Sequence, residues 1–186
     1  MNKAAKFLLK VMGKFEEYVS MGMMVVTLVV TVVNVFARYL FKSSLPWAQE
    51  VSGIAWCWTV MLGISWAFRA NMHQGIDLLV QKVGPTLKRI LYIITFIILA
   101  VSFVFMTYMS IEITRKGFYK PTNYFKLPYS VKYISAVIAF INMTIYSIRY
   151  VILAITKPAL FVEAVSINGN GLDDFDNETT GEEEAE

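Results

Sequence analysis

Side chains that carry chemistry in most enzymes are scarce in this chain. It has one histidine, His73, and one cysteine, Cys57, among 186 residues. A haem held by two imidazoles needs a second histidine, and a zinc site needs a cluster of cysteine and histidine ligands. The sequence also has no GxxxxGK[ST] phosphate loop and no serine, histidine and aspartate set that could converge on a nucleophile. We therefore expect neither an enzyme nor a bound cofactor.

Most of the chain consists of long apolar segments, and the few polar residues lie within or between them. Apolar and aromatic residues make up 56% of the chain and charged residues 17%. Residues 19–41, 47–68, 90–111 and 131–155 each form an apolar run of 20 residues or more, about the length of a helix that crosses a 30 Å hydrocarbon layer. The alternating pattern of a membrane barrel is absent. The sequence predicts an all-α membrane protein, with a four-helix transmembrane domain over residues 19–157.

Residues 1–18 have a helical period of their own. An apolar stripe that includes Phe7, Val11 and Phe15 runs beside a stripe of lysines. This pattern is typical of an amphipathic helix in the headgroup layer, with lysines as anchors, and the alternative is a frayed basic tail. The first apolar block is too long for a secretory signal, so we expect an uncleaved anchor. The lysines of the stripe are Lys3, Lys6, Lys10 and Lys14.

Charge is divided unevenly along the chain. All seventeen basic residues but only six of the fourteen acidic ones lie in residues 1–172, which gives this part a net charge of +11. A basic membrane protein contacts anionic lipid, and we expect no nucleic-acid partner. Four spans place both termini on one side, where we count ten Lys and Arg against seven opposite. The positive-inside rule therefore predicts cytoplasmic termini. Residues 158–186 are acidic, and we expect a disordered tail.

Weakly polar and small residues form stripes along three of the four spans. Stripes of this kind line pores in some proteins, but they serve more often in helix packing or at subunit interfaces. The third span is mostly Ile, Leu, Phe and Val, so it is the best candidate to face lipid. The stripes are Thr27, Thr31, Asn34 and Arg38 on the first span, Ala55, Thr59, Gly63 and Ala67 on the second, and Ser135, Asn142 and Tyr146 on the fourth.

Charged residues occur at the ends of the predicted spans and not in their middles. An ion-coupled transporter acting alone would place a carboxylate near the membrane midplane. The short turn after the first span brings Arg38 towards Glu50, and the two residues form either an ion pair or two separate solvated charges. We expect Arg149 to snorkel to the membrane surface and Trp47 to anchor the second span there.

Several short motifs follow one another in a specific order along the chain. They are Arg38-Tyr39, Pro46-Trp47-Ala48-Gln49-Glu50, Gly63, Arg69, His73, Ile76-Asp77 and Leu127-Pro128. In the order and spacing of these motifs, over about residues 15–155, the chain resembles the small membrane subunit, DctQ type, of the tripartite ATP-independent periplasmic (TRAP) transporters.

This resemblance implies a subunit of the bacterial inner membrane that has no transport site of its own. Its partners would be a large multi-spanning subunit, which carries sodium and substrate, and a soluble periplasmic binding protein, which delivers organic acids of the dicarboxylate or sialic acid class. The chain would be a scaffold that anchors the large subunit. The alternative is an independent small transporter or channel formed by a homo-oligomer, with the stripe from Thr27 to Arg38 along its path.

Overall fold

Four long helices form the molecule in a computed structural model that describes residues 3–43, 45–70 and 85–156. Each contains a stretch that is long and apolar enough to cross a membrane. The prediction of an all-α membrane protein with four spanning helices is confirmed, and the chain is a multi-pass membrane protein. The helices are α1, Lys3–Leu40; α2, Pro46–Arg69; α3, Pro85–Gly117; and α4, Ser130–Thr156.

The N-terminal part of α1 differs from the prediction. The helix continues without a break from Lys3 to Leu40, and its membrane-compatible stretch already begins at Val11. No proline interrupts this segment, and a single glycine within a helix costs only about 1 kcal/mol, too little to end it. A separate interfacial helix at residues 1–18 is therefore not evidenced, because residues 3–18 are the first turns of the spanning helix.

The helices pack in an order that differs from their order in the chain. The main contacts join α1 to α2, α2 to α4, and α4 to α3. The two central helices, α2 and α4, carry most of the buried apolar side chains, among them Leu62 and Phe68 of α2 and Tyr150 of α4. The ring of Tyr150 stacks on Phe96 of α3 at 4.6 Å between centroids and meets Phe68 edge-on at 6.2 Å. This aromatic cluster joins three helices.

A short turn joins α1 to α2. Lys42 adopts a positive φ of 50°, which reverses the chain. The side-chain oxygen of Asn34 accepts a hydrogen bond of 3.0 Å from the Leu45 backbone amide, and Pro46 occupies the first helical position of α2. Proline suits that position because a backbone N–H there, which proline lacks, would have no partner inside the helix.

A compact hairpin joins α3 to α4. Pro121 and Pro128 form an antiparallel bridge, and the Thr122 amide donates to the Leu127 carbonyl at 2.7 Å. The Ser130 hydroxyl then donates to the Thr114 carbonyl at 2.7 Å, which fixes the start of α4 beside the end of α3. The connection is ordered by its own hydrogen bonds.

Candidate functional site

A buried carboxylate joins three of the helices. Glu16 of α1 has no exposed surface. Its Oε1 accepts hydrogen bonds from the Ser65 hydroxyl of α2 at 2.5 Å and from the Asn142 side-chain amide of α4 at 2.6 Å. Its Oε2 accepts from the Tyr146 hydroxyl of α4 at 3.2 Å. The three donors meet the hydrogen-bonding needs that a buried carboxylate brings with it.

Arg69 supplies positive charge to this cluster. Its side chain is 8% exposed at the end of α2, and its guanidinium attracts the Glu16 carboxylate. The guanidinium packs against Gly13, where a Cβ atom would lie 2.5 Å from the Arg69 Cζ. The Arg69 backbone carbonyl accepts from the Tyr150 hydroxyl at 2.9 Å. Gly13 therefore leaves the space that brings α1 and this arginine together. We call Gly13, Glu16, Ser65, Arg69, Asn142 and Tyr146 the Glu16 cluster.

Glu16 is a residue of this site that the sequence analysis did not identify. The sequence places it before the first predicted span, beside lysines, where a solvated carboxylate is ordinary. The structure places it between Ser65, four residues before the end of α2, and Asn142 of α4. The only signal in the sequence was the polar stripe on the fourth span, which identified Asn142 and Tyr146 but not the carboxylate that they bind.

The stripe on α1 does not act as one surface. The Thr27 hydroxyl donates to the Met23 carbonyl of its own helix at 2.8 Å, and Asn34 holds the Leu45 amide. Thr31 and Arg38 are exposed. Two of the four predicted residues thus serve local structure, while the other two face outwards.

The stripe on α2 lies partly against α1. The Ser20 hydroxyl of α1 donates to the Thr59 carbonyl at 3.0 Å and lies 3.3 Å from the position a Cβ atom on Gly63 would take. Ala55 is 2% exposed, and Ala67 is partly buried. Small residues here permit the two helices to approach closely.

The stripe on α4 faces the interior. Ser135, Asn142 and Tyr146 are all at most 4% exposed. Ser135 donates to the Lys132 carbonyl of its own helix at 2.6 Å, and the other two residues bind Glu16. This stripe joins α4 to its neighbours within the described part of the molecule.

Glu50 bonds to the hairpin and not to Arg38. Its Oε2 accepts from the backbone amide of Tyr124 at 2.9 Å and from that of Phe125 at 3.5 Å. The Arg38 side chain is exposed, and among the described residues no ion pair joins it to Glu50. Of the two alternatives, the ion pair is absent, because the hairpin after α3 reaches the start of α2 and donates to one oxygen of the Glu50 carboxylate.

The predicted membrane anchors lie in different environments. Lys14 is exposed, whereas Trp47 and Arg149 are partly buried. The side chains of Lys3, Lys6 and Lys10 lie outside the described residues, as do His73, Ile76, Asp77 and the acidic tail at 158–186. Across the described ranges, no three His, Cys, Asp or Glu side chains come together as a metal site.

The outer helices present large apolar faces. In the most apolar stretch of α1 no residue is buried within the chain. In the corresponding stretch of α3 only 11% of the residues are buried. Val29 of α1 is 55% exposed and Val101 of α3 is 66% exposed. The sequence analysis predicted an outward apolar face for the third span. The structure shows that the first span has one as well. Both faces require lipid or another membrane protein as a neighbour.

Comparison with known proteins places this architecture in one group. Residues 27–157 match the family model described as tripartite ATP-independent periplasmic transporters, DctQ component. Two small permease proteins of TRAP transporters from Haemophilus influenzae are 22% and 28% identical over 75% and 68% of this chain, covering 82% and 79% of their own lengths. A C4-dicarboxylate TRAP transporter small permease protein, DctQ, from Vibrio cholerae is 32% identical over 77 residues, 41% of this chain. That match spans 33% of the Vibrio protein.

Proposed function

The chain belongs to the DctQ component family of the tripartite ATP-independent periplasmic transporters, and we propose that it anchors and stabilises the large subunit of a sodium-coupled transporter that imports organic acids. The family match over residues 27–157 carries this proposal. A transporter subunit of this kind is not an enzyme. The organic acids are of the dicarboxylate or sialic acid class, and a soluble periplasmic binding protein delivers them.

The contacts of the polar side chains support a scaffold role. Glu16 is held by three donors from two other helices, and Asn34 is held by the turn before α2. A group that carries an ion must bind and release it, but these groups are engaged in contacts that join the helices. The large subunit therefore supplies the sodium and substrate sites, while this chain supplies a rigid surface against which it moves.

The outward face of α1 is the surface that we assign to the large subunit. It combines Gly22, where nothing lies within 4 Å of the position that a Cβ atom would take, with small apolar side chains such as Val25 and Val29. Small residues in a spanning helix let another helix approach closely. The exposed face of α3 carries larger side chains such as Ile98 and Phe105 and faces lipid. The protein lies in the bacterial inner membrane with both termini in the cytoplasm.

Reconstitution tests the scaffold role. The large subunit is placed in liposomes with and without this chain, the binding protein is added with a C4-dicarboxylate or with sialic acid, and a sodium gradient is imposed. We expect sodium-dependent uptake of one of the two acids only when this chain is present. Uptake at an undiminished rate by the large subunit without it would overturn the scaffold role.

The alternative function is an independent transporter or channel formed by several copies of this chain. The exposure of Thr31 and Arg38 is the observation that favours it, because they could line a path between copies. Liposomes that hold this chain alone test it directly. We expect no solute flux. Flux through a homo-oligomer would show that the chain is an independent transporter or channel and would overturn the scaffold role.

A further inference from the structure

A polar pocket lies where the hairpin between α3 and α4 folds over the start of α2. Its volume is about 280 Å³. Glu50 and Lys132 are the two charged residues in its wall, and the remaining lining is polar, aromatic or proline. The full lining consists of Pro46, Gln49, Glu50, Thr122, Asn123, Tyr124, Tyr129 and Lys132.

Only one of the two carboxylate oxygens of Glu50 accepts hydrogen bonds. Its side chain is 9% exposed, and its Oε2 accepts the amides of Tyr124 and Phe125. Its Oε1 is buried and receives no hydrogen bond. The Thr122 hydroxyl lies close to the carboxylate but accepts from the Leu127 amide at 3.0 Å, and its geometry does not complete a bond to Oε1. A buried carboxylate oxygen in this state favours a ligand that brings a donor.

Lys132 gives the pocket its opposite charge. Its ammonium attracts the Glu50 carboxylate, yet the two do not close into an ion pair. The ammonium lies 5.4 Å from the ring centroid of Tyr129 and close to Gly53, where a Cβ atom would approach it to 3.1 Å. Glycine at position 53 leaves room for it. A negative and a positive group thus share one pocket without neutralising each other directly.

This charge arrangement selects the chemistry of the ligand. A simple cation would be repelled by Lys132 and a simple anion by Glu50. A small zwitterion satisfies both, provided that its cation can donate a hydrogen bond to the carboxylate. Phosphoethanolamine has a primary ammonium and a phosphate two carbons apart, and it is small enough for the pocket.

The position of the pocket selects the source of that group. Pro46 and Ser130 are the first residues of their candidate membrane spans, so the pocket lies where α2 and α4 enter the membrane. The hairpin above it exposes aromatic side chains such as Tyr119 and Phe125, which are typical of the membrane interface. We propose that the pocket formed by Glu50, Lys132 and the 121–129 hairpin binds the headgroup of phosphatidylethanolamine, with the ammonium towards Glu50 and the phosphate towards Lys132.

Native mass spectrometry of the full chain, titrated with defined lipids in detergent, tests this site. We expect phosphatidylethanolamine to bind at least tenfold more tightly than phosphatidylcholine, because a quaternary ammonium has no hydrogen to donate to Glu50. Phosphatidylglycerol, which has no cation, should also bind more weakly. Equal affinity for the ethanolamine and choline lipids would overturn the proposal.

Two substitutions separate the roles of the charged residues. Glu50→Gln should bring the ratio of the affinities for phosphatidylethanolamine and phosphatidylcholine close to one. Lys132→Gln should weaken the binding of both lipids by about the same factor. Glu112→Gln and Lys120→Gln are matched controls outside the pocket and should change neither affinity. A Glu50→Gln variant that retains the preference would overturn the proposal, and if this variant fails to fold, Lys132→Gln and the wild-type preference still decide it.

Soluble headgroups distinguish a lipid from a free ligand. Free phosphoethanolamine at millimolar concentration should displace the ethanolamine lipid, and phosphocholine should not. If the free compound binds as tightly as the whole lipid, then the bilayer contributes nothing and the lipid assignment is wrong. This test is independent of the transport function, since it uses no large subunit and no substrate.

Discussion

At the scale of single residues, the structure centres on a carboxylate that has no contact with solvent. Removing water from a charged group costs several kcal/mol, so the group persists only where donors and opposite charge replace the lost hydration. Ser65, Asn142 and Tyr146 are the donors for Glu16, and Arg69 is the opposite charge.

Substitution of Glu16 should destabilise the protein strongly. Glu16→Ala removes the acceptor of three buried donors and the negative charge beside the buried Arg69, and we expect a loss of about 3 to 5 kcal/mol in unfolding free energy. Glu16→Gln keeps an oxygen for Ser65 and Asn142 but removes the negative charge beside Arg69, so the expected loss is about 1 to 3 kcal/mol. Unfolding in detergent, followed by circular dichroism, measures both. Glu17→Gln, at a partly exposed neighbour, is the control, and an equal effect there would contradict the assignment.

Two glycines of α1 provide a matched pair. Gly13→Ala places a methyl group against the Arg69 guanidinium, and this buried side chain must shift to admit it. At Gly22 nothing lies within 4 Å of the position that a methyl group would take, so Gly22→Ala should stabilise the helix by about 1 kcal/mol through helix propensity alone. We expect opposite signs for the two variants in the same unfolding assay. Stabilisation by both would show that the contact of Gly13 with Arg69 is unimportant.

At the scale of elements, hydropathy predicted the spanning helices because lipid leaves the backbone few alternatives to a helix. The N-terminal boundary could not be predicted in the same way. The lysine stripe before residue 19 suits a surface helix, and the buried role of Glu16 depends on residues 49 and 126 positions away. Closeness in sequence made an ion pair between Arg38 and Glu50 one of two alternatives. The Glu50 carboxylate accepts instead from the backbone amide of Tyr124, which is 74 residues further along the chain.

The turn between α1 and α2 provides a test at this scale. Asn34→Ala removes the acceptor of the Leu45 amide, and we expect a loss of about 1 kcal/mol in unfolding free energy. Thr31→Ala, on the same helix at an exposed position, should change stability by less than half as much. Equal effects of the two substitutions would show that the hydrogen bond to Leu45 is not what holds the turn.

At the scale of the whole molecule, the order α1, α2, α4, α3 leaves the first and third helices at the edges. Their sequences are similarly apolar, but the outward face of α1 includes Gly22, which has no neighbour within 4 Å of the position of a Cβ atom, whereas the glycine of α3, Gly117, packs against Tyr133. Composition alone therefore does not separate the face for a partner from the face for lipid. The distinction rests on which side chains remain outside after the chain has folded.

A bulky side chain should reveal which edge meets the large subunit. Val29→Trp enlarges the outward face of α1, and Val101→Trp makes the same change on α3 at a similar exposure. We expect Val29→Trp to reduce co-purification with the large subunit severalfold because an interface of small side chains cannot admit an indole. Val101→Trp should leave it unchanged. If only Val101→Trp abolished co-purification, then α3 would be the helix that contacts the large subunit and α1 would be the one that faces lipid.

Glu16 also imposes an order on how the protein is made. The ribosome releases this carboxylate long before Asn142 and Tyr146, which follow it by 126 and 130 residues. At common rates of synthesis this interval is roughly 6 to 25 s. During that time Glu16 can meet Ser65 and Arg69 of α2 but not its two donors from α4. The Glu16 cluster is consequently completed only after α4 has been translated.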